Sequence, residues 1–264
     1  MGGRSRVKRK TVQSDDGWSV ITHGLSHVSL KDEKKDAGAM PDIVQGLNVD
    51  RLLKDMKNRQ ERWTGTACAK QIDEVLQSKV IKGNEPKIQN ACCIGIGSFS
   101  RDWEHRHRSL WQLILFIRAV EILKEQGFET LMYTQEPAFT ELDRELLRTL
   151  NINVTGQIEE HITSDSFVFS PFVDWYLLLP TFLKGKQPYL YIGNEILDDY
   201  STYARSDDKK KRLEECNQLG REFLKSRKMV KMVDFDLHAH ALNGMVIYWD
   251  KPTTIEDEAT DIPN

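Results

Sequence analysis

From Ile88 onward, short apolar runs alternate with longer stretches whose apolar residues recur at helical spacing, and this alternation narrows the available folds sharply. Ile88–Ile96, Phe128–Thr134, Ile152–Thr155, Ser166–Ser170 and Pro188–Ile192 read as strands. Leu110–Leu123, Pro137–Leu150 and Asp174–Leu183 read as the helices between them. The first helix carries Leu110, Leu113, Ile114, Ile117, Val120 and Leu123 on one face, with Gly127 as its stop. Short strands that are nearly all apolar suit a sheet buried on both faces, and strand–helix repeats put helices on both sides. The expected architecture over residues 83–250 is therefore an α/β, Rossmann-like three-layer domain with a mainly parallel sheet. A charged helix over residues 207–228 and strands at Met229–Asp236 and Met245–Trp249 complete it.

The flanks have a different texture. Residues 1–48 are polar and read as a mostly disordered tail, and residues 251–264 as a loose acidic one. Within the first tail, Trp18, Val20 and Thr22 alternate with smaller or polar neighbours. That pattern suits a short strand packing on its own domain, or a peptide that docks on a protein partner. Residues 49–82 read as a helical extension, with Leu52, Leu53 and Met56, then Ile72, Val75 and Leu76, at helical spacing.

Charge and cysteine usage exclude several functions. A net charge of -3 gives no global pull toward nucleic acid or an anionic membrane. The most apolar helix contains Gln112, Arg118 and Glu121 and reads as core, not as a membrane span. The basic start, with no apolar stretch behind it, does not read as a signal peptide. Four cysteines without CxxC spacing read as reduced thiols, and the expected setting is cytoplasmic or nuclear. Arg6–Lys10 and Lys209–Arg212 are basic runs that fit either nuclear import or an ordinary solvated surface.

The candidate chemistry gathers where strands end. Gly95-Ile96-Gly97-Ser98 closes the first strand, where glycines permit a sharp turn and close approach of a ligand. In open parallel sheets the ligand crevice lies at that edge. Ser100 stands where a dinucleotide fingerprint has its third glycine, so a ligand loop and a tight structural turn both fit. Glu136 follows the second strand, where an acidic side chain can accept ribose hydroxyls; as a loop residue beside Pro137 it has an equally good structural role. Asn194, after the fifth strand, is a similar case. Arg101, Arg106 and Arg108 precede a helix expected to begin near Ser109. A bound anion would relieve cations placed there, as would the local carboxylates Asp102 and Glu104.

Other constellations are weaker. Asp236, His238 and His240 would share a face if they lay on a strand, but no further ligand group accompanies them, and no metal site is assigned. G-x-S-x-G is absent, and no serine is paired with a histidine by motif. The residues favour a regulatory or adaptor protein with a small nucleotide-like ligand at the glycine loop. The alternative is an enzyme using S-adenosylmethionine or a dinucleotide.

Taken in order, Cys93-Ile94-Gly95-Ile96-Gly97-Ser98-Phe99, Gln112-Leu113, Glu136-Pro137-Ala138-Phe139, Asp143, Leu150 and Gly193-Asn194 resemble the SRR-like (sensitivity to red light reduced) family. The resemblance spans about residues 88–203 and extends toward 249. It implies a regulatory role of the kind linked to light signalling, circadian regulation or haem metabolism, with no agreed enzymatic activity. Many members carry Pro-His after the fourth strand. Here Pro171 is followed by Phe172-Val173-Asp174-Trp175, which resembles the fungal branch, so haem ligation through that histidine does not carry over.

Overall fold

The computed structural model describes residues 9–13, 19–23, 40–81, 88–103, 106–125 and 129–250. Trp18, Gly127, Phe128 and the tail 251–264 lie outside the described residues. The chain divides into two units, Met1–Asp42 and Ile43–Asn264. In the first, β1 (Arg9–Gln13) and β2 (Ser19–His23) pair antiparallel as a hairpin, with Val12 opposite Val20. β2 overlaps the short strand expected around Val20 and Thr22.

The second unit holds the sheet. Its strands are β3 (Asn90–Ile94), β4 (Leu131–Gln135), β5 (Ile152–Val154), β6 (Ser166–Ser170), β7 (Leu190–Asn194), β8 (Arg227–Lys231) and β9 (Met245–Asp250). They lie in the order β5-β4-β3-β6-β7-β9-β8, with β9 antiparallel to both neighbours and all other pairs parallel. The winding runs outward from β3 to β5, then returns beside β3 as β6. This reversal creates a topological switch point between the carboxyl ends of β3 and β6.

Alternation along the strands assigns the two faces. Ala91, Cys93, Phe167, Phe169, Leu190 and Ile192 join one core, while Cys92, Val168 and Tyr191 are buried outside it. Adjacent strand residues point to opposite faces, so Cys92 and Cys93 cannot meet. All four cysteines are free and buried.

The helices are α1 (Val49–Trp63), α2 (Ala67–Val75, continued by a π-helical turn to Ile81), α3 (Arg106–Lys124), α4 (Glu141–Thr149), α5 (Trp175–Leu177, continued by a π-helical turn to Leu183), α6 (Asp207–Leu224) and α7 (Ala239–Leu242). The extension read as one helix is broken where the Thr66 hydroxyl caps α2 by accepting from Ala69 N–H. Helix α3 is buried on nearly every side, not on one face, because α1, α2 and α7 pack on the side away from the sheet. Leu52, Met56, Trp63 and Ile72 of the extension share a core with Phe116 and the sheet.

Helix α4 begins four residues later than Pro137, at a capping box. Thr140 Oγ1 accepts from Asp143 N–H at 3.2 Å, and the Asp143 carboxyl accepts from Thr140 N–H at 2.8 Å. The same fully buried carboxyl accepts from Ser98 Oγ at 2.6 Å and from Phe99 N–H at 3.0 Å. Asp143→Ala strands those donors, each worth about 1–3 kcal/mol when left buried and unpaired, so a loss of about 3 kcal/mol or more is expected. Urea denaturation checks this, and a loss below about 1 kcal/mol would contradict it.

Candidate functional site

The glycine loop leaves β3 through two residues in the left-handed region, Gly95 at φ 72° and Gly97 at φ 81°. At Gly97 a Cβ atom would stand 2.9 Å from Ser109 Oγ and 3.3 Å from the Trp103 ring. Backbone conformation and space therefore both require glycine there. The loop is bound closely to its surroundings. Gly95 N–H donates to Gln135 O at 3.0 Å, and Gly97 N–H to Glu136 Oε2 at 2.9 Å. Ser98 is fully buried and turned toward Asp143, away from any crevice. Its Oγ accepts from Ser100 N–H and Arg101 N–H, and Trp103 Nε1 donates to its carbonyl. Phe99 is buried against Phe139 at a ring separation of 5.7 Å.

Glu136 follows β4 directly, as read from the sequence. Its Oε1 accepts from Ala138 N–H at 2.9 Å while Oε2 holds Gly97, so it joins the β3 and β4 loops. Burial pushes its pKa up, and those two amides and the Arg108 cation oppose the shift. A carboxylate has about four acceptor positions, so one hydrogen bond per oxygen leaves capacity for a ligand hydroxyl.

Asn194 is the last residue of β7. Its Oδ1 accepts from Phe172 N–H at 3.2 Å and its Nδ2 donates to Val173 O at 3.0 Å. It thereby holds the loop after β6, where Phe172 adopts φ 59°, an uncommon conformation for a bulky residue. The Arg108 guanidinium lies 5.5 Å over the Phe172 ring and within electrostatic reach of Glu136. Gly97 is thus held by Glu136, and Phe172 is held by Asn194 with Arg108 over its ring, while Arg108 and Glu136 are linked through electrostatics alone. Beyond Asn194, a cleft of about 230 Å³ is lined by Asp174, Trp175, Ile196, Tyr200 and Tyr203. Gly97 and Glu136 do not line that cleft.

The three arginines separate in role. Arg101 is tied inward, its Nε donating to Ala138 O at 2.9 Å and its backbone bridging Ile43. Arg106 and Arg108 lie in the first turn of α3, which starts three residues before Ser109. Their neighbours could not be read from the sequence. Arg59 of α1 donates Nη2–H to His107 Nδ1 at 2.7 Å, and Trp111 lies beneath Arg59 and Arg62 at 5.8 and 5.7 Å. Arg59 sits in a polar stretch, Lys57–Arg62, and nothing local marked the face that α3 covers.

His238 and His240 do not share a strand face: His238 lies in irregular chain as the N-cap of α7, and His240 lies within α7. Their rings are 6.4 Å apart and nearly perpendicular. The strand expected over Met229–Asp236 runs over Arg227–Lys231, and the chain leaves the sheet edge well before His238. Among the described residues, no group of three or more His, Cys, Asp or Glu is placed to hold a metal ion. The thiols are poor nucleophiles, since burial pushes Cys92 up to about 12 and Cys68 and Cys216 to about 11.

His107 and His238 both have lowered pKa values, first through burial and then through nearby cations, including Arg59 for both. The unfolded chain takes up protons as pH falls through the ordinary value of 6.5, while these imidazoles resist protonation in the fold. They therefore favour the folded state fully above that value and progressively less as pH falls toward their depressed values. The slope is at most about 1.4 kcal/mol per pH unit for each imidazole. Urea titrations at about pH 7.5 and about pH 5.5 should show a smaller acid-side loss in a His107→Gln, His238→Gln double variant than in the wild type. Equal losses would contradict the assignment.

Comparison with known proteins places this geometry. No curated protein matches the chain. Among solved structures, the crystal structure of cofactor-bound Rv0187 from MTB is 11 % identical, covering 76 % of this chain and 90 % of its own, with a TM-score of 0.38. The SRR1 domain family model matches residues 68–249, from α2 through the glycine loop, Glu136 and Asn194 to β9. Spanning most of the sequence and the whole sheet, that match establishes that the chain belongs to the SRR1 domain family.

Proposed function

We propose that this SRR1-domain protein is a regulatory or adaptor protein whose carboxyl-edge crevice takes a small nucleotide-like ligand. The observation that carries the reading is the placement of Gly97, Glu136 and Asn194 at the carboxyl ends of β3, β4 and β7, with Glu136 holding Gly97 and Asn194 holding the loop after β6 over which Arg108 lies. In this reading the ligand lies at the rim of the glycine loop, whose Gly97 is covered by Trp103 and Ser109, with Glu136 accepting from its hydroxyls and Arg108 meeting its charge. A reactive centre is not what these residues favour: Ser98 is committed to Asp143, and the thiols are buried and protonated. In this reading the ligand signals and is not converted. The regulation is of the signalling, circadian or haem-related kind that SRR-like proteins suggest, in the cytoplasm or nucleus. Residues around Trp18 supply a protein-docking segment. No described helix is long and apolar enough to cross a membrane.

A second reading has one observation in its favour. A doubly wound sheet with an acidic residue after its second strand is also the setting in which a nucleotide-type cofactor sits over a switch point. On that reading the protein is an enzyme using S-adenosylmethionine or a dinucleotide.

Native mass spectrometry of gently purified protein, with a thermal-shift screen of nucleosides, nucleotides, S-adenosylmethionine and haem, tests both. A saturable ligand is expected, lost in Gly97→Val and weakened about tenfold or more in Glu136→Gln, since a charged acceptor contributes about 1.5–3 kcal/mol. Gly97→Ala, checked for folding by circular dichroism, separates a lost site from a lost fold. Turnover of a co-substrate would favour the enzyme; no saturable ligand would contradict the crevice.

A further inference from the structure

The cleft of about 230 Å³ beyond Asn194 is walled by the segments that follow β6 and β7, and aromatic rings dominate it. Trp175, at the start of α5, stacks on Tyr200 with ring centroids 4.7 Å apart and planes 16° from parallel. Tyr203 also lines the cleft and is 57 % exposed, more than any other large hydrophobic side chain among the described residues. So open a ring on a cleft wall has a face to offer a ligand.

The charge in the cleft has one sign. Asp174 and Glu195 line it, and no cationic side chain does among the described residues. Glu195 is already matched, since Lys231 Nζ lies 3.0 Å from its carboxylate. Asp174 is half-buried, and burial pushes its carboxyl up against the opposing pull of Lys209 and the Tyr176 hydroxyl. Lys209 acts from outside the cleft, with its Nζ 4.7 Å from the centre of the Tyr176 ring.

The wall after β7 is fixed by its own hydrogen bonds. Ile196 N–H donates to Tyr248 Oη at 3.0 Å and Leu197 N–H to Tyr200 Oη at 2.9 Å. Tyr200 N–H donates to the buried Asn217 Oδ1 at 2.9 Å, and Gly220 of α6 sits against the Leu197 carbonyl with no room for a Cβ atom. A wall held this way loses little freedom when a ligand enters.

Aromatic faces attract a cation through their quadrupole, and a partly desolvated carboxylate adds to the attraction. A phosphate-bearing ligand would be repelled here. The volume is below the roughly 300–1,000 Å³ of sites for drug-sized ligands, so the occupant is small. We infer that this cleft binds a small alkylammonium compound, its cationic head against Trp175 and Tyr203 and beside Asp174. The inference goes beyond the crevice reading and does not rest on it, since Gly97 and Glu136 do not line the cleft.

Calorimetric titration of the full chain with tetramethylammonium and with choline, at ionic strength held constant with sodium chloride, tests this. Saturable binding is expected. The neutral isostere of choline, with carbon in place of the quaternary nitrogen, should bind about tenfold more weakly or worse. Tyr203→Ala and Asp174→Asn should each weaken choline about fivefold or more, while Tyr203→Phe, which keeps the ring, stays within about twofold of the wild type. That last variant separates a lost ring from a disturbed loop. Binding of the isostere as tight as that of choline, no saturable binding of either cation, or wild-type affinity in both Tyr203→Ala and Asp174→Asn overturns the inference. A peptide bearing trimethyllysine that binds tenfold tighter than choline overturns the assignment to a small compound.

Discussion

The buried carboxyl group of Asp143 is the fixed point around which the candidate site is arranged. It caps α4 through Thr140 and holds the glycine loop through Ser98 and Phe99. Two segments far apart in sequence are thereby set in register at the carboxyl edge of the sheet. Glu136 adds the second tie by taking Gly97 N–H. A loop with two left-handed glycines would otherwise sample many conformations. Here its amides are directed at the protein's own carboxyls and hydroxyls.

That arrangement shapes the chemistry available to a ligand. In a glycine loop that cradles phosphate, the free amides supply the anion site. Here Gly95, Gly97 and Phe99 amides are already committed, so positive charge for a ligand has to come from side chains. In the proposed reading helix α3 supplies it through Arg108, which lies over the Phe172 ring and within electrostatic reach of Glu136. Phe172, held by Asn194 at the end of β6, adopts a left-handed backbone conformation uncommon for a bulky residue. Strain of this kind persists where the surroundings over-determine it, and here they do so beside the switch point.

The fold was legible because its signal is repetitive. Ser166–Ser170 begins and ends where the apolar run does, and each expected strand within the described residues of the second unit has its counterpart there. What failed was local. The start of α4 moved because the Thr140–Asp143 capping box, readable as a motif, outweighed Pro137. Helix α3 proved buried beyond its one apolar face because α1, α2 and α7 also pack on it, and periodicity within α3 carries no information about them. The site was legible in part. Gly97 and Glu136 meet directly, Asn194 holds the neighbouring loop after β6, and Ser98 and Arg101 turned inward. Arg59 and His107 are 48 positions apart, and only the packing of two helices brings them together.

The central claim is that the carboxyl ends of β3, β4, β6 and β7 form one ligand-responsive surface. It is tested most directly by two-dimensional amide and guanidinium NMR during titration with an adenine nucleotide. The account predicts that the Gly97 amide, the Arg108 Nε–H and the Asn194 side-chain amide shift together along a single saturating curve. Shifts confined to other parts of the molecule, or separate curves for these three groups, would contradict it.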